Sequence, residues 1–416
     1  MMNRRRFVDR LGRLLLGGAA AATVPGAAAA VSTRTGKVTQ TKQRPEAGAR
    51  GMTLFLCGDV MTGRGIDQVL PHPGNPVLHE GYVTSALDYV ALAERANGPI
   101  PRPAEFAYVW GDALAEWARA APDLRIVNLE TAVTTRDDWQ RGKGIHYRMH
   151  PANVPCLTAA AIDCCVLANN HVLDWGYAGL AETLQTLRRA KLQPAGAGRD
   201  RAEAAAPAVL TVAGKGRVLV FSFGVQSSGI PPDWAAAAGL PGVNLLADLS
   251  PATLRQIAAQ VKAVKHPADV VVASIHWGGN WGYAVPEAHQ RFARGLIDQC
   301  GMDVVHGHSS HHPQGIEVYR GRPILYGCGD FLNDYEGIAG YEAYRGDLSL
   351  MYFLTLDAAS GQLLRLWMIP MQTRRFRLHR ASAEDTRWLR AVLDREGRRL
   401  GSGVEAGPGG SLALRW

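Results

Sequence analysis

The chain has six cysteines among its 416 residues, and no two stand in a CxxC pair. Cys57, Cys156, Cys164, Cys165, Cys300 and Cys328 fall mostly within apolar runs, which argues against a thiolate zinc site and reads them as small buried residues. Beyond residues 1–30, no run approaches the roughly 18 to 20 apolar residues that a bilayer-spanning helix needs, so no part of the body is expected to cross a membrane. No internal repeat of fixed period is apparent. An excess of one charge is also missing. The formal net charge is +8, but residues 1–30 hold five arginines and one acid, leaving 40 basic against 36 acidic residues, a balance of +4. That balance argues against nucleic acid as a partner and fits an anionic small molecule or polymer. With 47% hydrophobic and 20% charged residues, the chain can bury a large core.

The N-terminus has a pattern of its own. Asn3-Arg4-Arg5-Arg6-Phe7-Val8 places paired arginines before an aromatic, a weakly apolar run from Leu14 to Val24 follows, and then come Ala27 to Ala30. These read as the charged region, apolar region and cleavage site of a twin-arginine signal peptide, so residues 1–30 are set apart from the fold. The protein is therefore expected to be exported to the periplasm or cell envelope, folding and loading any cofactor before transit. An uncleaved leader would make it membrane-anchored instead. Residues 31–52, rich in Thr, Lys, Gln, Gly and Arg without apolar periodicity, read as a flexible linker.

The body, residues 53–373, alternates short apolar runs with helical patterns. Strands are predicted at Thr53–Cys57, Leu124–Asn128, Cys164–Leu167, Arg217–Phe223, Asp269–Ile275 and Asp303–Val305. Helical spacing joins Leu180, Leu184 and Leu187, then Leu254, Ile257, Val261 and Val264, then Phe292 and Leu296 after Pro286. Ser349–Leu356 and Gln362–Met368 read as an antiparallel pair about the turn Asp357–Gly361, added to a second sheet. The class is α/β, with two central sheets flanked by helices. Residues 67–110, broken by six prolines, form an insertion after the first strand of the kind that often covers a site. Residues 374–416 read as a C-terminal extension, whose basic run Arg374, Arg375, Arg377 and Arg380 is expected in a solvated strand-to-helix connection.

Polar residues able to bind metal follow one predicted strand after another: Asp59, Glu130, Asn170 with His171, His276, and His308 with His311. The carboxyl edge of an open α/β sheet is where ligands bind. Oxygen and imidazole donors without thiolate suit Mn, Zn, Fe or Mg. A carboxylate can bridge two such ions, and a paired site activates hydroxide while it binds an oxyanion. His171, beside Asn170, is placed as a general acid for the leaving group, with Asp174 orienting its imidazole. His306 and His312 are read as outer or exposed neighbours of the ligand run.

The motifs Gly58-Asp59-Val60-Met61-Thr62-Gly63-Arg64, Asn128-Leu129-Glu130, Ala168-Asn169-Asn170-His171 with Asp174 and Gly176, His276-Trp277-Gly278, and Gly307-His308 with His311 resemble, in order, those of the CapA-type poly-gamma-glutamate capsule proteins. Gln314 to Tyr319 and Pro323 to Tyr326 extend the likeness, which runs from about residue 53 to 373. That family is similar to the calcineurin-like metallophosphoesterases. The resemblance implies a four-layer α/β/β/α sandwich and a shell of Asp59, Glu130, Asn170, His276, His308 and His311 around one or two divalent ions. From the residues themselves, His171 and Asp174 are read as the catalytic pair, and Arg64, able to bind an anion in a bidentate way, and Asn128 as substrate contacts, with a structural ion pair as the alternative for Arg64.

The chain departs from that pattern at several points. Met61 stands where the phosphoesterases have a histidine ligand, so one tight and one weak ion are expected. Gly279-Asn280-Trp281 lacks the usual acid after His-Trp-Gly, and Ser309 replaces a histidine. Gly327-Cys328-Gly329-Asp330-Phe331 brings in Asp330, read as a backbone cap in preference to an extra ligand. The implied function is metal-dependent hydrolysis or transfer on an anionic polymer or phosphoester in capsule metabolism. The alternative is a non-enzymatic accessory subunit that holds polymer or organises a capsule synthase at the membrane.

Overall fold

The computed structural model describes residues 51–416; the leader and residues 31–50 of the linker lie outside the described residues. Ordered structure starts slightly before the expected boundary, because Gly51 and Met52 already belong to the first strand. In that strand, β1 (Gly51–Val60), Phe55 and Cys57 enter one apolar core while Met52, Leu54 and Leu56 enter another. Side chains alternate at period two, so a strand that is apolar on both faces has to be covered on both.

The strands that follow, in chain order, are β2 (Leu124–Leu129), β3 (Cys164–Val166), β4 (Gln193–Ala195), β5 (Ala208–Val212), β6 (Gly216–Gly224), β7 (Val270–His276) and β8 (Val304–His308). Then come β9 (Ile316–Tyr319), β10 (Arg322–Leu325), β11 (Asp330–Leu332), β12 (Leu348–Asp357), β13 (Leu363–Arg374), β14 (Arg377–Arg380), β15 (Gly403–Ala406) and β16 (Leu412–Arg415). One sheet runs β15-β16-β13-β12-β1-β2-β3-β4, with β11 also on β1 and β14 on β13; the other runs β9-β10-β8-β7-β6-β5. The two sheets face each other: Leu54, Leu56, Ile126 and Val166 share a core with Val218, Val220, Val270 and Val272.

Helices cover the outer faces. Val90, Trp117, Leu180 and Leu184 lie over Phe55, Val127 and Cys165 of the first sheet. Leu254, Ile257, Phe292 and Leu296 lie over Leu219, Phe221, Val271 and Ala273 of the second. The fold is the four-layer α/β/β/α sandwich. The helix Pro251–Val264 has a proline in its first turn and a Ser250 side chain accepting from the Thr253 amide, which fixes its start. Its last apolar position, Val264, is exposed rather than packed, at the residue where the helix ends.

Two expectations are corrected. The antiparallel pair β12 and β13 joins the first sheet, not the second: β2, β3 and β4 lie on one side of β1, and β12 takes the other edge, pairing Met52 with Leu356 through Leu56 with Tyr352. The basic run is a hairpin rather than a strand-to-helix connection. Arg374 pairs with Arg377, and Arg375 and Phe376 have φ of 57° and 54°, the left-handed backbone that two-residue hairpin turns require. Residues beyond it continue the same fold, since β16 pairs with β13 and Leu389 and Leu393 enter the core between the sheets. The 67–110 segment carries the helix Ala86–Asn97, with Glu80 and Tyr89 buried beside Arg64.

Candidate functional site

The carboxyl ends of the parallel strands of both sheets converge on one place. Asp59 is the penultimate residue of β1, Glu130 follows β2, and Asn170 and His171 follow β3 from the first sheet; His276 ends β7, and His308 ends β8 and leads into His311 from the second. Register aligns His276 with His308 across β7 and β8, and Asp59 with both Asn128 and Asp330 on its two neighbours. The approach of β1 to the Cys328-Gly329 backbone is possible only without a side chain at position 58. A Cβ on Gly58 would stand 1.7 Å from the Gly329 carbonyl oxygen. That contact lets the Asp59 amide donate to Gly329 at 2.9 Å.

Two groups of donors share Asp59. One is Asp59 with His276 and His308, the other Asp59 with His311 and Asp330, and within each group the ligand atoms lie within 4.8 Å of one another. Asn170 Oδ1 is 3.1 Å from His276 Nε2, and Glu130 Oε1 is 3.8 Å from the same nitrogen. All the sequence-read ligands are therefore brought together. Asp330 joins them, which corrects its reading as a backbone cap: one carboxylate oxygen is 2.8 Å from His311 Nδ1, and the other accepts from the Asn333 side chain at 2.9 Å. Two features hold the shell. His306 and His308 both bond the Ser274 hydroxyl, at 3.0 and 2.9 Å. Ser309, with φ of 99°, turns its amide onto Asp59 Oδ2 at 3.2 Å, and a non-glycine residue in that region is strained backbone.

The electrostatics fit a cation. Burial, and then the Asp330 carboxylate, push Asp59 up to about 7, and burial with Asp59 pushes Glu130 well above the usual carboxylate range. Buried acids crowded in this way need positive charge. Burial also holds His276 and His308 neutral, well below the ordinary imidazole value. Their Nδ1 atoms face each other at 2.7 Å. At most one hydrogen fits between two neutral rings there, so at least one lone pair is left for another partner. Burial opposes charge on His311, but Asp330 overrides it and raises that residue. Carboxylate, amide oxygen and imidazole together make a donor set for a hard or borderline divalent ion.

Beside this cluster, Asp174 Oδ2 lies 2.6 Å from His171 Nδ1 and leaves Nε2 facing Glu130 Oε1 at 3.9 Å. A residue that sequence reading missed completes the arrangement. The Lys143 ammonium contacts His171 Nδ1 at 3.0 Å, ion-pairs with Asp174 and bonds the Asn170 carbonyl. Burial, then Lys143, lowers His171 well below its ordinary value. The Tyr147 ring stacks on His171 at 3.7 Å between centroids. Lys143 sits in the irregular stretch Arg141-Gly142-Lys143-Gly144, with no periodicity and no strand to place it, so nothing in the local pattern marked it.

Neither residue assigned to substrate is free for it. Arg64 bonds Asp334 through Nε at 3.1 Å and through Nη2, bonds Glu80 through Nη1 at 3.0 Å, and lies over the Tyr89 ring at 3.7 Å. The ion-pair alternative is what the structure shows, with all three side chains buried. Asn128 donates to Asp59 Oδ1 at 2.7 Å and accepts from Asn169 at 3.0 Å, so it positions Asp59. His306 and His312 are both buried, with His306 also bonding the Cys57 carbonyl at 2.7 Å and His312 accepting from the Gly282 amide at 3.1 Å.

The chain is similar to several known proteins. The family described as bacterial capsule synthesis protein PGA_cap matches residues 53–335. A probable polyglutamine synthesis accessory protein of Mycobacterium tuberculosis is 49% identical over 364 residues, covering 87% of this chain and 96% of that one. The PGA biosynthesis protein CapA of Bacillus subtilis is 27% identical over 285 residues, 68% of this chain and 63% of that one. Among solved structures, a phosphatase of Mycoplasma pneumoniae aligns over 79% of this chain and 96% of its own, with 10% identity and a TM-score of 0.44.

Proposed function

Because this chain belongs to the bacterial capsule synthesis protein family PGA_cap, we propose that it performs metal-dependent hydrolysis or group transfer on an anionic polymer or phosphoester, within poly-gamma-glutamate or related capsule metabolism. The observation that carries this reading is the sharing of Asp59 by two donor groups directly beside the His171–Asp174 pair. Asp59, Glu130, Asn170, His276, His308, His311 and Asp330 would hold one or two divalent ions. An ion there would polarise a carbonyl or phosphoryl oxygen and neutralise charge that develops on it.

The chain's own groups do the rest. With burial and Lys143 holding the ring neutral, His171 takes up at Nε2 the proton released by the attacking water and passes it to the departing oxygen or nitrogen, while Asp174 accepts from Nδ1 and Lys143 holds that carboxylate. Export through the twin-arginine leader places this activity in the periplasm or cell envelope. The second reading, a non-catalytic subunit that binds polymer or organises a capsule synthase, draws on the word "accessory" in the name of the Mycobacterium tuberculosis relative. Metal-replete protein assayed against phosphoesters and γ-glutamyl amides separates the two. Bound metal with turnover supports the enzyme, and bound metal with polymer affinity and no turnover supports the subunit. Metal-free protein after replete preparation rules out the centre itself.

A further inference from the structure

Tyr147 and Tyr335 come from separate parts of the chain and meet beside the donor cluster with their hydroxyl oxygens 2.5 Å apart. Tyr147 is the ring stacked on His171, and Tyr335 meets His311 edge-on, with centroids 5.6 Å apart and planes at 84°. The pair thus spans from the proton-donor flank to the His311–Asp330 flank. Two phenols carry two hydrogens, and the bond between them uses one. Whichever oxygen accepts that bond keeps its own hydrogen, and among the described residues neither hydroxyl has a further hydrogen-bond partner. A donor left unmade in a largely buried setting is unfavourable, so an acceptor arriving at the donor cluster would satisfy it.

Both rings are held in place by residues of the site. The Tyr147 amide donates to Asp174 Oδ2 at 2.7 Å, and the Tyr335 amide donates to Asn333 Oδ1 at 3.1 Å while Asn333 bonds Asp330. The Arg64 guanidinium, locked by Asp334 and Glu80, lies 4.8 and 5.7 Å from the two ring centroids. Donors fixed in advance of the ligand are what stabilisation of an anionic oxygen requires.

We propose that Tyr147 and Tyr335 form an oxygen-binding subsite of the centre, giving their unshared O–H to an anionic oxygen of the substrate. The ligand chemistry is an oxyanion, supplied either by a phosphoryl group or by the carboxylate of a γ-glutamyl unit. This rests on the reading of the centre as one that binds such substrates.

The test uses the metal-loaded full-length protein and its Tyr147→Phe, Tyr335→Phe and double variants. Inorganic phosphate and γ-glutamylglutamate are titrated calorimetrically, and metal content is measured in parallel. One single variant, the one whose hydroxyl holds the unshared hydrogen, should bind its oxyanion about 10- to 100-fold more weakly with metal content unchanged, as expected for a lost hydrogen bond to a charged group. The other single variant should lose less, and the double should match the weaker single. Weakening for phosphate alone assigns a phosphoryl ligand, and weakening for the dipeptide alone assigns a carboxylate. The subsite is overturned if all three variants bind both probes within about 2-fold of wild type, if affinity and metal fall together, or if the wild type binds neither probe. Oxyanion binding without turnover of any substrate would sink the hydrolytic reading and leave the subsite standing.

Discussion

The Lys143 ammonium and the His171 imidazole share one carboxylate: Asp174 pairs with Lys143 through Oδ1 and lies 2.6 Å from His171 Nδ1 through Oδ2, while Lys143 Nζ is itself 3.0 Å from that nitrogen. A charge held by a buried partner is costly to orphan. Lys143→Met should therefore destabilise the protein by about 3 kcal/mol, since Asp174 would be left buried without its cation. Adding Asp174→Asn should restore most of that loss, because the pair is then removed together. Urea unfolding of the two singles and the double measures this; additive losses would mean that the contact is incidental.

The position of Asp330 bears on how many ions the proposed centre would hold. Met61 cannot replace an imidazole, but Asp330 supplies a carboxylate to the Asp59–His311 group. One tight and one weaker ion remain the expectation, with the weaker at that group. Asp330→Ala should reduce affinity for the weaker ion by at least about 10-fold while the other is retained, given what comparable losses cost around metals. Elemental analysis across a range of free metal would show it. An unchanged stoichiometry would return Asp330 to a structural role.

Much of this was legible in the sequence, and the gaps have physical causes. Strand ends were readable because buried strands are continuous apolar runs: His276 follows one directly, and Asp59 and His308 follow one within three residues. The edge on which β12 and β13 would pair was not readable, since an alternating pattern gives the faces of a strand and not its neighbours. Arg64 looked like a substrate contact because its partner Asp334 lies 270 residues away. Lys143 and the tyrosine pair escaped for the same reason: their roles exist only in contacts between loops. Asp330 was read as a cap because, taken alone, an acid after Gly-Cys-Gly is a turn residue, and only the pairing of β11 with β1 turns it toward His311.

Acid stability offers a test away from the centre's own carboxylates. Burial lowers His289, stacked on Trp277 at 4.5 Å, to about 4. A folded value below the unfolded one, about 6.5, means that the unfolded chain takes the proton first. The contribution is full above about pH 6.5 and is lost as pH falls toward 4, reaching about 2–3 kcal/mol near pH 4.5. His289→Phe keeps a ring on Trp277 and has no proton to take up. The stability difference, wild type minus variant, should fall by that amount between pH 7 and 4.5 in denaturant titrations. A difference independent of pH would place the acid sensitivity elsewhere.

The export reading rests on Arg4 to Phe7 and Ala27 to Ala30. Replacing Arg5 and Arg6 with lysine should retain the protein in the cytoplasm if the twin-arginine route carries it. Fractionation and immunoblotting compare the two, and unchanged export would remove the route.

His171 and His308 are both buried imidazoles beside the cluster, yet their partners differ. His308 turns its ring nitrogens to Ser274 and His276, inside the donor group, whereas His171 is clamped by Asp174 and Lys143 with Nε2 outside any hydrogen bond among the described residues. If that nitrogen delivers the proton, His171→Ala should keep metal near the wild-type level and slow turnover by about 10²- to 10⁴-fold, the usual worth of a positioned acid. A substrate with a very good leaving group needs little protonation and should slow much less. His308→Ala should instead lose metal, with activity partly recovered at high metal concentration, because removing a ligand weakens binding without removing the acid. The comparison is made by titrating metal into both variants and assaying one poor and one good leaving group. If His171→Ala loses metal as His308→Ala does, or slows both substrates equally, then His171 is a ligand or a scaffold residue and the proton must come from another group.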